Sequence, residues 1–194
     1  AVRLAAWLGA GVANTGVGSP MTDPRGRGSG PVGEPASQGS SRLASADDYE
    51  RTAKGLRDVG AIAADLGIDI SIEVHQHSLA DNSWSALHLL ELIRRPNVGV
   101  NPDLGNIYWT YDVPEETCES AIMKLAPHAK YWHCKNMQRV HIPQLEYAIF
   151  QRVPLPDGDI DYRFALTAMH QANYQGSVAI EGVRYGDQLT ADGK

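Results

Sequence analysis

The chain has 194 residues, of which 43% are hydrophobic, enough to bury the core of one sizeable domain. Its net charge is −6 and its lysines and arginines form no cluster, which argues against a nucleic-acid surface, where phosphates must be neutralised. No apolar run approaches the ~20 residues of a membrane-spanning helix. The two cysteines, Cys118 and Cys134, stand in no CxxC pattern and read as reduced thiols of a cytoplasmic protein.

The chain opens on AVRLAAWLGAGV, without a methionine and with the character of a helix already under way. It shows neither the basic start nor the long apolar stretch of a signal peptide, and it reads as cut from something longer. Arg3 to Leu8 is expected to end an amphipathic helix, closed by Gly9. Gly11 to Val17 reads as a short strand. Residues 18–44 are rich in Gly, Pro and Ser, and a loop of that length is either disordered or a lid over a site. Ser45 then caps a long helix, with Asp48 at its third position. Tyr49, Ala53, Leu56, Val59, Ile62 and Leu66 recur along it at three- and four-residue steps, and Gly67 ends it.

Ile68 to His75 is predicted as a strand, followed by a helix through NSWSALHLLELIRR that stops before Pro96. Next come a strand at NVGV and a helix through PEETCESAIMKLA with Pro114 in its first turn. A strand at AKYWHCK, a helix at DYRFALTAMHQAN and a strand at GSVAIEG complete the order. Such alternation specifies an α/β fold of βαβ units with a parallel sheet, either doubly wound or a (β/α)₈ barrel. No glycine-rich phosphate fingerprint follows a strand, which lowers the dinucleotide-fold reading without removing it. The 194 residues are read as a single domain.

Each strand after the first ends on a metal-ligand or acid/base residue: Glu73, Asp103, His133 and Glu181. The first three are spaced by 30 residues, one βα unit, and the last gap is longer by an insertion of about Met137 to Asp159. In a parallel barrel all strand C-termini meet at one face, where active sites are built. Three carboxylates and an imidazole brought together there repel one another unless a cation compensates them. Oxygen-rich donors with one nitrogen suit Mg²⁺, Mn²⁺ or Co²⁺, with Zn²⁺ an alternative.

The set SIEVH, VGVNPDLGN, YWHCKN, PDGDIDY and VAIEG, in this order, resembles the xylose-isomerase-like barrel superfamily of sugar isomerases, ketose 3-epimerases, inosose dehydratases and hydroxypyruvate isomerases. The resemblance runs from about residue 1 to 185. It implies a partial TIM barrel, with these strands as the fourth to the eighth and about the last five βα units of eight present. It further implies that Glu73, Asp103, His133 and Glu181 hold one divalent metal, with Glu73 and Glu181 also moving protons. A metal on both substrate oxygens would stabilise the developing enediolate while one carboxylate removes the proton and the other returns it.

The resemblance makes Arg139 a substrate contact, six residues after His133. Lys135 points the same way as His133 by strand alternation and reaches either the substrate or a buried ion pair. Asn106 stands where the epimerases carry histidine: it can bond a hydroxyl but cannot act as an acid. His75 shares the strand face of Glu73, whereas His77 falls in the next loop. Tyr108 and Trp109 either wall a sugar ring or pack in the core, and Pro156 to Asp161 reads as a turn and helix cap.

The leading reading is therefore a metal-dependent isomerase or epimerase of a small sugar or polyol-derived carbonyl compound, with homo-oligomerisation open for the full-length protein. A dehydratase on the same scaffold is the close alternative. An abasic-site endonuclease fits poorly, since the few histidines at strand ends and the negative charge oppose a three-zinc DNA site; a non-catalytic fragment is the remaining alternative. Five strands alone would leave two open sheet edges and apolar interior exposed. The isolated 194 residues are thus expected to associate or aggregate, and a soluble, monomeric, cooperatively unfolding sample in size-exclusion and urea experiments would refute this.

Overall fold

A computed structural model describes residues 1–18, 41–76, 78–109, 115–142, 144 and 147–181. Most of the Gly/Pro/Ser-rich loop expected over 18–44, together with His77 and Pro114, lies outside them.

Helix α1 (Val2–Trp7) leads into strand β1 (Val12–Thr15). Helix α2 (Ala46–Asp65) is fixed at its start by the predicted cap: the Ser45 hydroxyl accepts from the Asp48 N–H at 3.2 Å, and the Asp48 carboxylate accepts from the Ser45 N–H at 2.9 Å. Gly67, at φ +68°, carries the chain out of the helix. Strand β2 (Asp69–Glu73), helix α3 (Ser83–Ile93) and strand β3 (Val98–Asn101) follow, then α4 (Leu104–Trp109), α5 (Cys118–Leu125) and β4 (Trp132–Cys134). Strands β5 (Asn136–Ile142) and β6 (Tyr147–Val153), helix α6 (Tyr162–Gln171) and strand β7 (Val178–Ile180) complete the order.

Five strands run parallel in an arc. β1, β2 and β3 pair in sequence, and β4 pairs with β7. A parallel bridge from Val100 to Ala129, with the Lys130 N–H donating to the Val100 carbonyl at 2.9 Å, carries the arc from β3 towards β4. Among the described residues no pairing closes β7 onto β1. The C-termini of these five strands therefore emerge on the same edge, as the alternating pattern predicts. The core lies between arc and helices, where Ile72, Val100, Leu89, Ile93, Ile122, Leu125 and Trp132 are fully buried. Among the described residues no helix is long and apolar enough to cross a membrane.

The structure departs from the sequence reading in four places. The insertion after β4 is an antiparallel hairpin, β5–β6, rather than a loop. Residues 104–109, for which no helix is expected from the sequence, form one. Gly105 has no positive φ; its missing side chain makes room for Lys135, whose Cγ would lie 2.3 Å from an added Cβ. Helix α5 starts at Cys118, where Thr117 accepts from the Ser120 N–H at 3.1 Å, because Glu115 and Glu116 turn away to bond Asn82 and Ser83. Finally, α2 buries Tyr49, Ala53, Gly60 and Ala63, while Val59, Ile62 and Leu66 are exposed. The reason is close approach: an added Cβ on Gly60 would lie 2.9 Å from Val98 Cγ2, and Asn97 donates to the Gly60 carbonyl at 2.9 Å.

Two glycines of α2 should respond oppositely to the same change. Gly55→Ala meets nothing within 4 Å and should stabilise by about 0.5–1 kcal/mol through helix propensity. Gly60→Ala should destabilise, because both Val98 and Arg95 must move. Urea unfolding of the two variants beside wild type checks the sign of each.

Candidate metal centre

Three strands deliver three donors to one point. Glu73 is the last residue of β2, Asp103 follows β3 by two residues, and His133 is the middle of β4. One ligand atom from each lies within 4.8 Å of the others. His133 Nδ1 is 3.7 Å from Glu73 Oε1 and 3.8 Å from Asp103 Oδ2. These distances are too long for hydrogen bonds, and Nδ1 is buried without one. Two carboxylate oxygens and a buried, unbonded imidazole nitrogen facing a common point fit a divalent cation, with positions left for substrate.

Asparagines hold this group in place. Glu73 Oε2 accepts from Asn14 on β1 at 2.9 Å, and Oε1 accepts from Asn106 on α4 at 3.1 Å. The Asn106 amide also donates to the Val74 carbonyl at 3.1 Å, and its backbone N–H donates to Asp103 Oδ1 at 3.2 Å. Asn101 Oδ1 accepts from the His133 N–H at 2.7 Å and sets the strand position of the imidazole. Asn106 is thus bonded to the donor group itself rather than presented to a ligand. Asn14 and Asn101 were not singled out from the sequence. Their signal was an amide in the apolar strands VANT and VGVN, where such a residue is disfavoured unless it has partners.

Glu181, the fourth expected donor, is held differently. Lys135 Nζ, on a residue only 2% exposed, lies 2.7 Å from Glu181 Oε2 and 3.0 Å from Asp103 Oδ2. Arg152 of β6 places Nη1 2.7 Å from Glu181 Oε1. Both cations lie over the Trp109 ring, at 5.8 Å for the ammonium and 5.7 Å for the guanidinium. The buried ion pair is therefore the role that Lys135 takes, and Trp109 is a platform for cations. Arg152 was missed because its hairpin read as an insertion.

The remaining candidates have partners of their own. His75 is exposed beside the site, with Nδ1 3.0 Å from the Gln76 carbonyl. Arg139 sits on β5, its N–H donating to Asp159 at 2.8 Å and its guanidinium 5.9 Å over Phe150. Tyr108 donates to Asp159 at 2.7 Å. Asp161 caps α6, accepting from the N–H groups of Arg163 and Phe164, as the PDGDID turn predicted.

The environments separate the carboxylates. Burial pushes Glu73 up, but the His133 imidazole and the Asn14 amide outweigh it and hold the carboxyl down at about 2. Burial lifts Asp103 to about 6 against the pull of Lys135. Glu181 is also raised by burial, but Lys135 and Arg152 bring it below the usual carboxylate range. His133 is raised, chiefly by Glu73.

A family model described as a xylose isomerase-like TIM barrel matches residues 1–193. The L-ribulose-5-phosphate 3-epimerase UlaE of Escherichia coli O157:H7 (strain EC4115 / EHEC) is 23% identical over 128 residues, 66% of this chain and 40% of that protein. A xylose isomerase-like TIM barrel protein from Mycobacterium smegmatis, solved in complex with magnesium, superposes with a TM-score of 0.74 at 23% identity, covering 97% of this chain and 59% of that one. The probable 3-DHS dehydratase AsbF from Bacillus anthracis gives 0.66 at 19% identity, covering 93% and 60%. The structural likeness shows the fold, and the chain spans less than two thirds of each relative's length.

Divalent-ion affinity should fall as pH drops from about 7 to 5, because Asp103 must be ionised and His133 neutral to ligate. Asn106→Ala should weaken the affinity by about 10- to 100-fold by freeing Glu73. Calorimetric Mn²⁺ titration of wild type and variant across that pH range checks both.

Proposed function

The chain belongs to the xylose isomerase-like TIM barrel family, and from that premise we propose that it serves a divalent-metal-dependent isomerase or epimerase acting on a small sugar or related keto-polyol. The observation that carries this reading is the convergence of Glu73, Asp103 and His133, with donor atoms within 4.8 Å, at the ends of successive parallel strands. In the proposal these three hold the ion, Mn²⁺, Mg²⁺ or Co²⁺ by donor chemistry with Zn²⁺ an alternative, and Glu181 completes the set. When bound, the ion supplies positive charge to the substrate oxygens beside the reacting carbon. A cytoplasmic setting belongs to the same reading and agrees with Cys118 and Cys134 being free thiols.

Proton movement falls to the two glutamates. Each oxygen of Glu181 accepts from one cation and keeps a lone pair for a proton from the carbon next to a carbonyl. Glu73, oriented by Asn14 and Asn106, is ionised throughout the neutral range and is the second carboxylate that an epimerisation needs. His75 at the exposed side and Arg139 on the hairpin remain the proposed substrate contacts, while Lys135 is engaged by Asp103 and Glu181, and Trp109 by the two cations. Asn106 acts by orienting Glu73. That commitment removes the acid that a histidine would offer a 3-epimerase at this position, and it leaves a dehydratase as the second reading. Its first proton abstraction is the same, and the β-hydroxyl then leaves as water with the proton that Glu181 took from carbon.

Full-length protein with Mn²⁺ should exchange one substrate carbon-bound hydrogen for solvent deuterium when incubated with ketoses in D₂O and followed by NMR. Glu181→Gln should lower kcat by about 10²- to 10⁴-fold, the worth of a positioned general base. Loss of water from ketoses or keto-inositols would establish the dehydratase instead. Absence of both exchange and stoichiometric metal would overturn the proposal.

A further inference from the structure

The β5–β6 hairpin adds nothing to the parallel arc, yet its base is tightly fixed. Asn136, buried at its root, donates from Nδ2 to the carbonyls of Leu155 at 2.6 Å and Ile160 at 3.0 Å. Its Oδ1 accepts from the N–H groups of Met137 at 2.9 Å and Ile160 at 3.0 Å. An added Cβ on Gly158 would lie 2.2 Å from this side chain, so the turn at 155–160 is shaped around it. Asp159 closes the other side, donating its N–H to the Met137 carbonyl at 2.8 Å and accepting from the Arg139 N–H and the Tyr108 hydroxyl. The hairpin is thereby tied to α4 and to the turn before α6.

Its register has one consequence at the metal centre. Arg152 pairs across from the fully buried Met137, and from there its guanidinium reaches Glu181 Oε1 at 2.7 Å and rests over Trp109. Lys135 takes the other oxygen. A carboxylate gripped on both oxygens by charge-assisted bonds cannot rotate freely about its last torsion. The planar guanidinium, 5.7 Å from the centre of the Trp109 ring, sets direction as well as charge.

We propose that Arg152 is a positioning residue of the site, supplied by the β5–β6 hairpin, which together with Lys135 fixes Glu181 for its work on the substrate. The inference rests on the reading of Glu181 as a proton-carrying carboxylate and adds that a sequence insertion outside the parallel arc completes the site. Arg152 acts through Glu181 and is not itself one of the donors that converge at the metal centre.

Arg152→Ala and Arg152→Lys in the full-length protein test this with two readouts. The first needs no substrate: labelling by a water-soluble carbodiimide, read by peptide mass spectrometry as the ratio of Glu181 to Glu73 modification. The ratio should rise severalfold in Arg152→Ala and stay near wild type in Arg152→Lys, which keeps a cation at Glu181. The second is kinetic: kcat should fall about 10- to 100-fold in Arg152→Ala with KM little changed, as for a misplaced reacting group. Arg152→Lys should recover part of the loss, and Mn²⁺ stoichiometry should be unaltered in both. An unchanged labelling ratio in folded, metal-binding Arg152→Ala overturns the inference alone. So does a rise in KM at constant kcat, which would make Arg152 a substrate contact. Failure of wild type to bind Mn²⁺ or exchange substrate hydrogen would instead remove the functional reading beneath it.

Discussion

A single buried ammonium organises this molecule's working edge. Lys135 is almost without solvent, and a lone charge there would cost several kcal/mol. It is tolerated because Asp103 and Glu181 lie 3.0 and 2.7 Å away. Its backbone is equally constrained: the Tyr162 hydroxyl accepts from the Lys135 N–H at 2.9 Å and donates to its carbonyl at 2.8 Å. Gly105 in α4 exists as a glycine because the Lys135 stem occupies the space where a side chain would go. The short helix after β3, the last strand and the start of α6 are thus all referred to one residue.

This ammonium also divides the acidic residues into two kinds. Glu73 is surrounded by amides, which orient a carboxylate without neutralising it. Glu181 is surrounded by cations, which orient it and offset its charge. Asp103 sits between, touched by Lys135 on one oxygen and by a backbone N–H on the other. Lys135 and Arg152 thus already compensate part of the charge that three unpaired carboxylates would leave to a bound cation. What remains is geometric: two carboxylate oxygens and a buried imidazole nitrogen converge with nothing between them that bonds the nitrogen.

Much of the arc was legible from local pattern. The Ser45–Asp48 cap, the helix it starts and the strand-helix alternation follow from spacing and capping chemistry, and the structure has the five parallel strands that alternation implies. Glu73, Asp103 and His133 were legible because strand ends in a parallel sheet share one edge. Other features were not. The α2 stripe of Val59, Ile62 and Leu66 has the right period, but the helix turns its small residues inward where Gly60 must meet Val98. The β5–β6 hairpin was hidden because its ladder joins residues such as Val140 and Ile149 that are both exposed and leave no strong alternation.

By itself, then, the sequence determined the order of elements and the residue types at the strand ends, because both are written in neighbours three, four or thirty positions apart. Only the tertiary structure decided which of those residues meet. Lys135 was as consistent with a substrate contact as with an ion pair until Asp103 and Glu181 came within reach of it. Arg152 had no role until the hairpin register carried it to Glu181. Pairing of buried charges depends on distances across the fold, and those are set by how helices and strands pack, which no local spacing encodes.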